Sequence, residues 1–263
     1  MKVLALDFDG VISDSGPEAF VVALRTYAEL RPGSVLAVPG NLGRESILAS
    51  SLYQVFVDAM PLGNRAEDFG VVLAAIAAGE TLASQAAYDA FKTEVVAAEP
   101  TFLDDFHVCF YAQRDSFAAA DLRSWHALLG PYPEFVALLR RRRGDAELAI
   151  ATAKDRPAVG RLLTAYGIEG LFPADRILDK DTGTSKCAHL EALRDRTGVS
   201  FDEITFVDDK VNHLEDVAGL GVRCALAAWG YNGAREQERA ASLGYLVCGL
   251  DDAERLLFEP DGI

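Results

Sequence analysis

Five short apolar runs recur along the chain, at residues 3–6, 148–151, 204–207, 223–227 and 245–247. Each is rich in leucine, alanine or β-branched residues and is bounded by charge or glycine. Runs this short and this apolar read as strands buried on both faces. Between them lie segments with helical character, at residues 156–166, 186–197 and 213–220. Strand and helix in alternation predict a parallel α/β sheet.

One interval breaks that rhythm. From residue 15 to 130 there is almost no strand-like alternation, and alanine, leucine and glutamate dominate. Phe20, Leu24 and Tyr27 fall at helical spacing, as do Val71, Ala74, Ala75 and Ala78. Breaks rich in glycine and proline, at 31–43 and 60–64, separate the helices. The expectation is an α/β core made of residues 1–14 and 131–263, with a helical domain of residues 15–130 inserted after the first strand. At 263 residues, half of them hydrophobic, the chain is long enough for both.

The formal net charge is −15. Such a surface repels nucleic-acid phosphates and anionic lipid, so neither is expected as a partner. The basic run Arg140 to Arg143 follows the apolar residues 135–139 and reads as the positively charged end of a helix. The four cysteines, Cys109, Cys187, Cys224 and Cys248, form no CxxC pair and suit free thiols in a reducing cytosol. The apolar start of the chain is broken by two aspartates. It reads as neither signal peptide nor membrane span, so a soluble, cytoplasmic protein is expected.

Four places carry chemistry. Asp7-Phe8-Asp9-Gly10 puts two carboxylates at the C-terminal end of the first strand, the edge where open α/β sheets bind ligands. One carboxylate can attack an electrophile while the other handles protons, and a cation is then needed to relieve the repulsion. An acidic turn bending at Gly10 is the plainer explanation. The second place is Thr152-Ala153-Lys154, where a hydroxyl and backbone N–H groups ahead of a helix suit a phosphate oxygen. A threonine capping that helix explains it equally well.

The third place is Lys186, in the first turn of a predicted helix, where a positive charge opposes the helix dipole unless an anion partners it. A solvated lysine is the alternative, and Lys180 is a nearby rival. The fourth is Asp208-Asp209-Lys210, where another apolar strand ends in adjacent carboxylates. Clustered anions are costly without a cation, and hard oxygen ligands point to magnesium.

With these residues on the page, the chain resembles the haloacid dehalogenase-like superfamily over nearly its whole length. The DFDGV run resembles that superfamily's first motif, Thr152 the hydroxyl of the second, Lys186 the lysine of the third, and Asp208-Asp209 the acidic fourth. The resemblance implies a Rossmann-like parallel sheet core with an inserted α-helical cap. That cap is larger than usual for the phosphoglycolate phosphatase and β-phosphoglucomutase branch. It implies a Mg2+-dependent phosphatase acting on a small phosphorylated metabolite, with Asp7 as nucleophile and Asp9 as general acid and base. Thr152, with the turn at Ala153, and Lys186 would meet the phosphoryl group. Magnesium would be held by Asp7, the Asp9 backbone carbonyl and the fourth-motif carboxylates, with Asp209 aligned to the direct ligand.

Arg44 follows a glycine–proline loop and resembles the cap's specificity residue. Arg65, in the polar run 64–68, is a second candidate for substrate contact; either can equally be a helix-start residue pairing with nearby acids. The chain departs from the pattern in three ways: Asp208 stands where glycine is usual, Cys187 where proline follows the lysine, and the cap is long. A phosphosugar mutase is the alternative within the superfamily, although Ala19 stands where a hinge histidine would be expected. A non-catalytic phospho-ligand binder or regulatory protein is the alternative outside it, although such a protein would be expected to lose Asp7 or Asp9.

Overall fold

Six strands form one all-parallel sheet in the computed structural model, which describes residues 1–40, 43–63 and 65–259. The chain begins with β1 (Val3–Leu6) and the two-residue β2 (Ser13–Asp14). Seven helices follow: α1 (Gly16–Leu30), α2 (Arg44–Leu48), α3 (Ser51–Ala59), α4 (Ala66–Ala78), α5 (Gln85–Ala98), α6 (Phe102–Ala120) and α7 (Leu122–Ala127). Then come β3 (Gly130–Pro131), α8 (Pro133–Arg141), β4 (Glu147–Ala151), α9 (Arg156–Ala165), β5 (Ile177–Leu178) and α10 (Lys186–Thr197). The chain closes with β6 (Ile204–Asp208), α11 (Val211–Ala218), β7 (Arg223–Ala227), α12 (Ala234–Ser242), β8 (Leu246–Cys248) and α13 (Ala253–Phe258).

The sheet order is β5-β4-β1-β6-β7-β8. β1 lies between β4 and β6, with Val3 paired to Glu147 on one side and to Ile204 on the other. The chain thus builds outward from β1 first to one side and then to the other, and ligands bind where loops diverge at such a reversal. All four residues of β1 are buried, which the sequence Val-Leu-Ala-Leu requires of a central strand with both faces covered. α10 packs on β4, α11 on β6 and β7, and α12 on β8. Leu190, Leu193, Leu214 and Val217 fill the core beneath them. Each large aliphatic side chain buried this way contributes about 1.5–3 kcal/mol.

The chain separates into two compact units, one of residues 1–14 and 130–263, the other of residues 15–129. Gly130, placed by sequence in the helical segment, pairs with Asp14 in the antiparallel β2–β3 ribbon and so belongs to the first unit. Other boundaries shift by one or two residues from the sequence reading, among them the following. α11 begins at Val211, before the expected residue 213, and β8 covers Leu246–Cys248, one residue later than expected. β5 was not expected at all, because Ile177–Leu178 is too short to show a period. Asn64 and residues 41–42, within the two expected breaks, lie outside the described residues. The run of arginines does end a helix: Arg140 and Arg141 form the last turn of α8, with Arg141 and Arg142 both paired to Glu254.

The second unit is helical throughout its described residues. α1 and α4 pack on each other and both on α6, around Phe20, Phe56, Phe106 and Phe110. Glu18, in the first turn of α1, is fully buried there. Its carboxylate accepts from Arg114 Nε and Nη2, both at 2.7 Å, and from the Trp125 indole at 3.0 Å. Removing a fully buried carboxylate strands the guanidinium it neutralises. Glu18→Ala is therefore expected to cost about 3 kcal/mol or more in urea denaturation, well beyond a surface substitution. A loss under about 1 kcal/mol would show that the ion pair is not needed. No helix among the described residues is long and apolar enough to cross a membrane.

Candidate active site

Three neighbouring strands deliver polar side chains to one edge of the sheet. Asp7 leaves the end of β1, Thr152 the end of β4, and Asp208 ends β6 with Asp209 next to it. Because β4, β1 and β6 are adjacent, their C-terminal ends converge. The Asp7 N–H still bonds the Val207 carbonyl at 2.9 Å, so Asp7 is held by the last rung of the ladder. Beyond it the chain turns sharply: the N–H groups of Ile12 and Ser13 both reach the Phe8 carbonyl, and Gly10 adopts φ +82°. A side chain at Gly10 would be strained by that φ, and its Cβ would overlap the Asp209 carboxylate. Phe8 is itself braced, its ring stacked on Tyr166, whose hydroxyl pairs with Ser13 at 2.7 Å.

Lys186 opens α10 with its side chain buried. Its ammonium has three hydrogens and three acceptors: Ala151 O at 2.7 Å, Asp7 Oδ1 at 2.8 Å and Asp208 Oδ2 at 3.2 Å. A solvated lysine is excluded for this position, whereas Lys180 is exposed. Two side chains set the turn ahead of it. Ser185 caps α10 by accepting from the Ala188 N–H, and His189 Nε2 lies 3.0 Å from both the Asp179 and Gly183 carbonyls. Burial and the nearby Lys186 charge push the His189 pKa down, which keeps that ring neutral.

Thr152 is buried, and its hydroxyl accepts from the Lys154 N–H at 3.2 Å. It does not cap the next helix; Asp155 does, accepting from Ala158 N–H at 2.9 Å. The Arg156 N–H is also engaged, by buried Asp179 at 3.1 Å. The N–H groups of Lys154, Arg156 and Ala158 are therefore committed within the protein. Ala153 lies exposed in the turn.

Asp208 and Asp209 are adjacent and buried, yet differ in surroundings. Asp208 accepts from Lys186, from the Lys210 N–H at 2.9 Å, and pairs with His213 Nδ1 at 3.1 Å. Burial alone would raise its pKa, but the Lys186 and His213 charges and these hydrogen bonds together hold it below the usual carboxylate range. Asp209 Oδ2 accepts the Tyr231 N–H at 3.0 Å, and Gly230 packs so closely that a Cβ there would overlap Asp209. Burial, with Asp208 and Asp7 nearby, drives the Asp209 carboxyl well above the usual range, and Lys210 offsets this only in part. Asp7 is raised too, by burial first and by Asp208, against the lowering effect of Lys186.

Three buried carboxylates thus lie close together, one buried ammonium meets two of them, and His213 adds charge only when protonated. That surplus of negative charge on hard oxygen donors suits a divalent cation. Ligand atoms of Asp7, Asp208 and His213 lie within 4.8 Å of one another. The Lys186 ammonium already sits against both carboxylates of that group, whereas Asp209 accepts from the Tyr231 N–H.

Several participants were not singled out from sequence. Lys154 Nζ lies 3.3 Å from Asp9 Oδ2. His213, in the first turn of α11, pairs with Asp208. After β7, Trp229, Tyr231 and Asn232 tie the site together: Trp229 Nε1 donates to Val11 O, Tyr231 OH to Asp14, and Asn232 Nδ2 to the Asp209 carbonyl. That loop follows an apolar strand, the signal that marked Asp7, Thr152 and Asp208.

The two candidate arginines belong to the helical unit. Arg44 begins α2 and donates from Nη1 to the Leu128 carbonyl at 2.9 Å. Arg65 is the N-cap residue of α4; its side chain is 78% exposed, and its guanidinium is 3.9 Å from Glu67.

Residues 1–216 match the haloacid dehalogenase-like hydrolase family. A stretch of 95 residues is 30% identical to Magnesium-dependent phosphatase 1 of Homo sapiens, taking in 35% of this chain and 52% of that protein. The chain therefore spans about half the length of that curated relative. Among solved structures, a predicted phosphoglycolate phosphatase from Haemophilus somnus superposes with a TM-score of 0.63 at 18% identity, over 97% of both chains. A haloacid dehalogenase-like family hydrolase from Streptococcus pneumoniae gives 0.65 at 14% identity, over 98% of both. At such identities the likeness is one of fold: a parallel α/β sheet with an inserted set of helices.

Proposed function

The chain belongs to the haloacid dehalogenase-like hydrolase family, and from that premise we propose that it is a phosphatase that hydrolyses a small phosphorylated metabolite through an aspartyl-phosphate. The observation that carries this reading is the Lys186 ammonium, buried 2.8 Å from Asp7 at the mouth of the sheet. A lysine held against a carboxylate by full burial orients it and offsets the charge that gathers when a phosphate arrives.

In the first step an Asp7 oxygen attacks phosphorus in line, the bond from phosphorus to the alcohol oxygen breaks, and Asp9 gives that oxygen its proton. In the second, water attacks the aspartyl-phosphate while Asp9 takes the proton back, and inorganic phosphate leaves with Asp7 restored. The Thr152 hydroxyl and the turn at Ala153 hold phosphoryl oxygens. Mg2+ is the cofactor we assign, held by the Asp7 carboxylate, the Asp9 carbonyl and Asp209. Bound there, it supplies Lewis-acid polarisation of the phosphoryl oxygens and neutralises the carboxylate crowd. Asp208, already engaged by Lys186, His213 and the Lys210 N–H, serves as the anchor of Lys186 and not as a direct ligand.

The test is release of inorganic phosphate from p-nitrophenyl phosphate with and without EDTA. Chelation is expected to lower the rate by roughly two orders of magnitude or more, since a catalytic metal contributes several kcal/mol, and added Mg2+ is expected to restore it. Phosphate release indifferent to EDTA would remove the metal from the account; none from any phosphomonoester would remove the phosphatase. Substrate choice we assign to the helical unit, with Arg44 and Arg65 as candidates. The same assay on a panel of phosphorylated metabolites, run with Arg44→Ala and Arg65→Ala, fails to support them if relative preferences stay unchanged.

A further inference from the structure

The two carboxylates of the Asp7-Phe8-Asp9 turn are each met by a lysine from a different crossover. Lys186, the first residue of α10, holds Asp7, and Lys154, ahead of α9, reaches Asp9 with its Nζ 3.3 Å from Oδ2. We infer that Lys154 is a positioning residue, which orients the Asp9 carboxyl group for proton exchange with the leaving oxygen. The inference rests on the reading of Asp9 as general acid and base, and goes beyond it by naming what aims that group.

Asp9 needs such help more than Asp7 does. Asp7 is buried and still bonded into the strand ladder, whereas the Asp9 side chain is 37% exposed and lies past the end of the strand. A proton passes only within a narrow range, about 2.6–3.2 Å between heavy atoms, so the direction in which the Asp9 carboxyl group points matters. The Lys154 side chain is only 12% exposed, and its backbone is pinned on both sides. Its own N–H bonds the Thr152 hydroxyl, Asp155 caps α9, and the Arg156 N–H is held by Asp179. The ammonium is thus delivered from a fixed stem. A partly exposed ion pair adds little to folding stability, and this one stands at the reacting edge of the sheet.

The test uses leaving groups of graded need for a proton. From p-nitrophenyl phosphate the phenolate departs readily as its anion, from phenyl phosphate less so, and from p-methoxyphenyl phosphate least. The slope of log kcat/KM against leaving-group acidity is compared for wild type, Lys154→Met, Lys154→Arg and Asp9→Asn, all loaded with Mg2+. Asp9→Asn is expected to give the steepest slope. Lys154→Met is expected to steepen it as well, losing roughly ten- to a hundredfold on p-methoxyphenyl phosphate and much less on p-nitrophenyl phosphate. Lys154→Arg is expected to restore most of the loss.

A steep slope for Asp9→Asn with an equal loss for Lys154→Met on all three esters would overturn the inference, since that pattern marks a phosphate contact; so would no loss at all. A flat slope for Asp9→Asn instead removes the acid–base assignment of Asp9, and the positioning role with it.

Discussion

Asp7→Asn is expected to abolish phosphate release, with a fall on the order of 10^4-fold or more, the scale seen when an enzyme loses its covalent nucleophile. Asparagine keeps the shape of the side chain and its capacity to accept from Lys186, but its amide oxygen does not form the acyl-phosphate bond. The fold should tolerate the change. Burial and the neighbouring Asp208 already disfavour the ionised form of Asp7, so removing its charge relieves part of the crowding. Lys186 keeps Ala151 O at 2.7 Å and Asp208 at 3.2 Å. Unfolding free energy is therefore expected to stay within about 1 kcal/mol of wild type, or to rise. Rapid acid quench during turnover should reveal a phosphorylated wild-type protein by mass and none for the variant. Undiminished turnover by folded, metal-loaded Asp7→Asn would defeat the aspartyl-phosphate account outright.

How much of this was legible in the sequence depended on what carries each feature. The parallel sheet was legible because Val3–Leu6 and Ile204–Asp208 are apolar on both faces, a pattern that a strand with one wet face cannot show. The helical insertion was legible because residues 15–129 lack that pattern. β5 was not, since two residues carry no period, yet it matters: the chain beyond it bears buried Asp179, which holds the turn after Thr152.

Within the site, residues at strand ends stand out because a carboxylate next to a buried strand is costly and so conspicuous. Lys154 and His213 do not. Each is an ordinary polar residue whose reach to Asp9 or Asp208 follows from the geometry of one turn. Tyr231 is harder still, because it holds Asp209 through its backbone N–H, which every residue but proline offers. Thr152 shows the opposite hazard: a helix cap looked equally good from spacing, but Asp155 fills that place and leaves the hydroxyl facing its own turn.

The same crowding decides what Lys186→Met should do, the second large effect. Methionine matches the stem of lysine but removes the single ammonium shared by Asp7 and Asp208. Two buried carboxylates are then left facing each other, and breaking a buried pair of this kind costs about 3–5 kcal/mol. The loss should depend on pH, with a sign that can be worked out. In wild type the Lys186 charge is among the effects that hold the Asp208 pKa low, despite burial, which acts the other way. Without Lys186, the folded-state pKa values of both carboxyl groups shift upward from those in the wild type. The folded variant then binds more protons than the folded wild type as pH falls toward the carboxylate range, so its stability rises relative to wild type there. The deficit measured by urea denaturation is expected to be largest near neutrality and to shrink on acidification. A deficit equal at all pH values would mean that lost packing, and not unpaired charge, sets the cost. Turnover should fall as well, roughly a hundredfold or more where the variant remains folded, because Lys186 holds the Asp7 carboxylate with a positive charge at 2.8 Å.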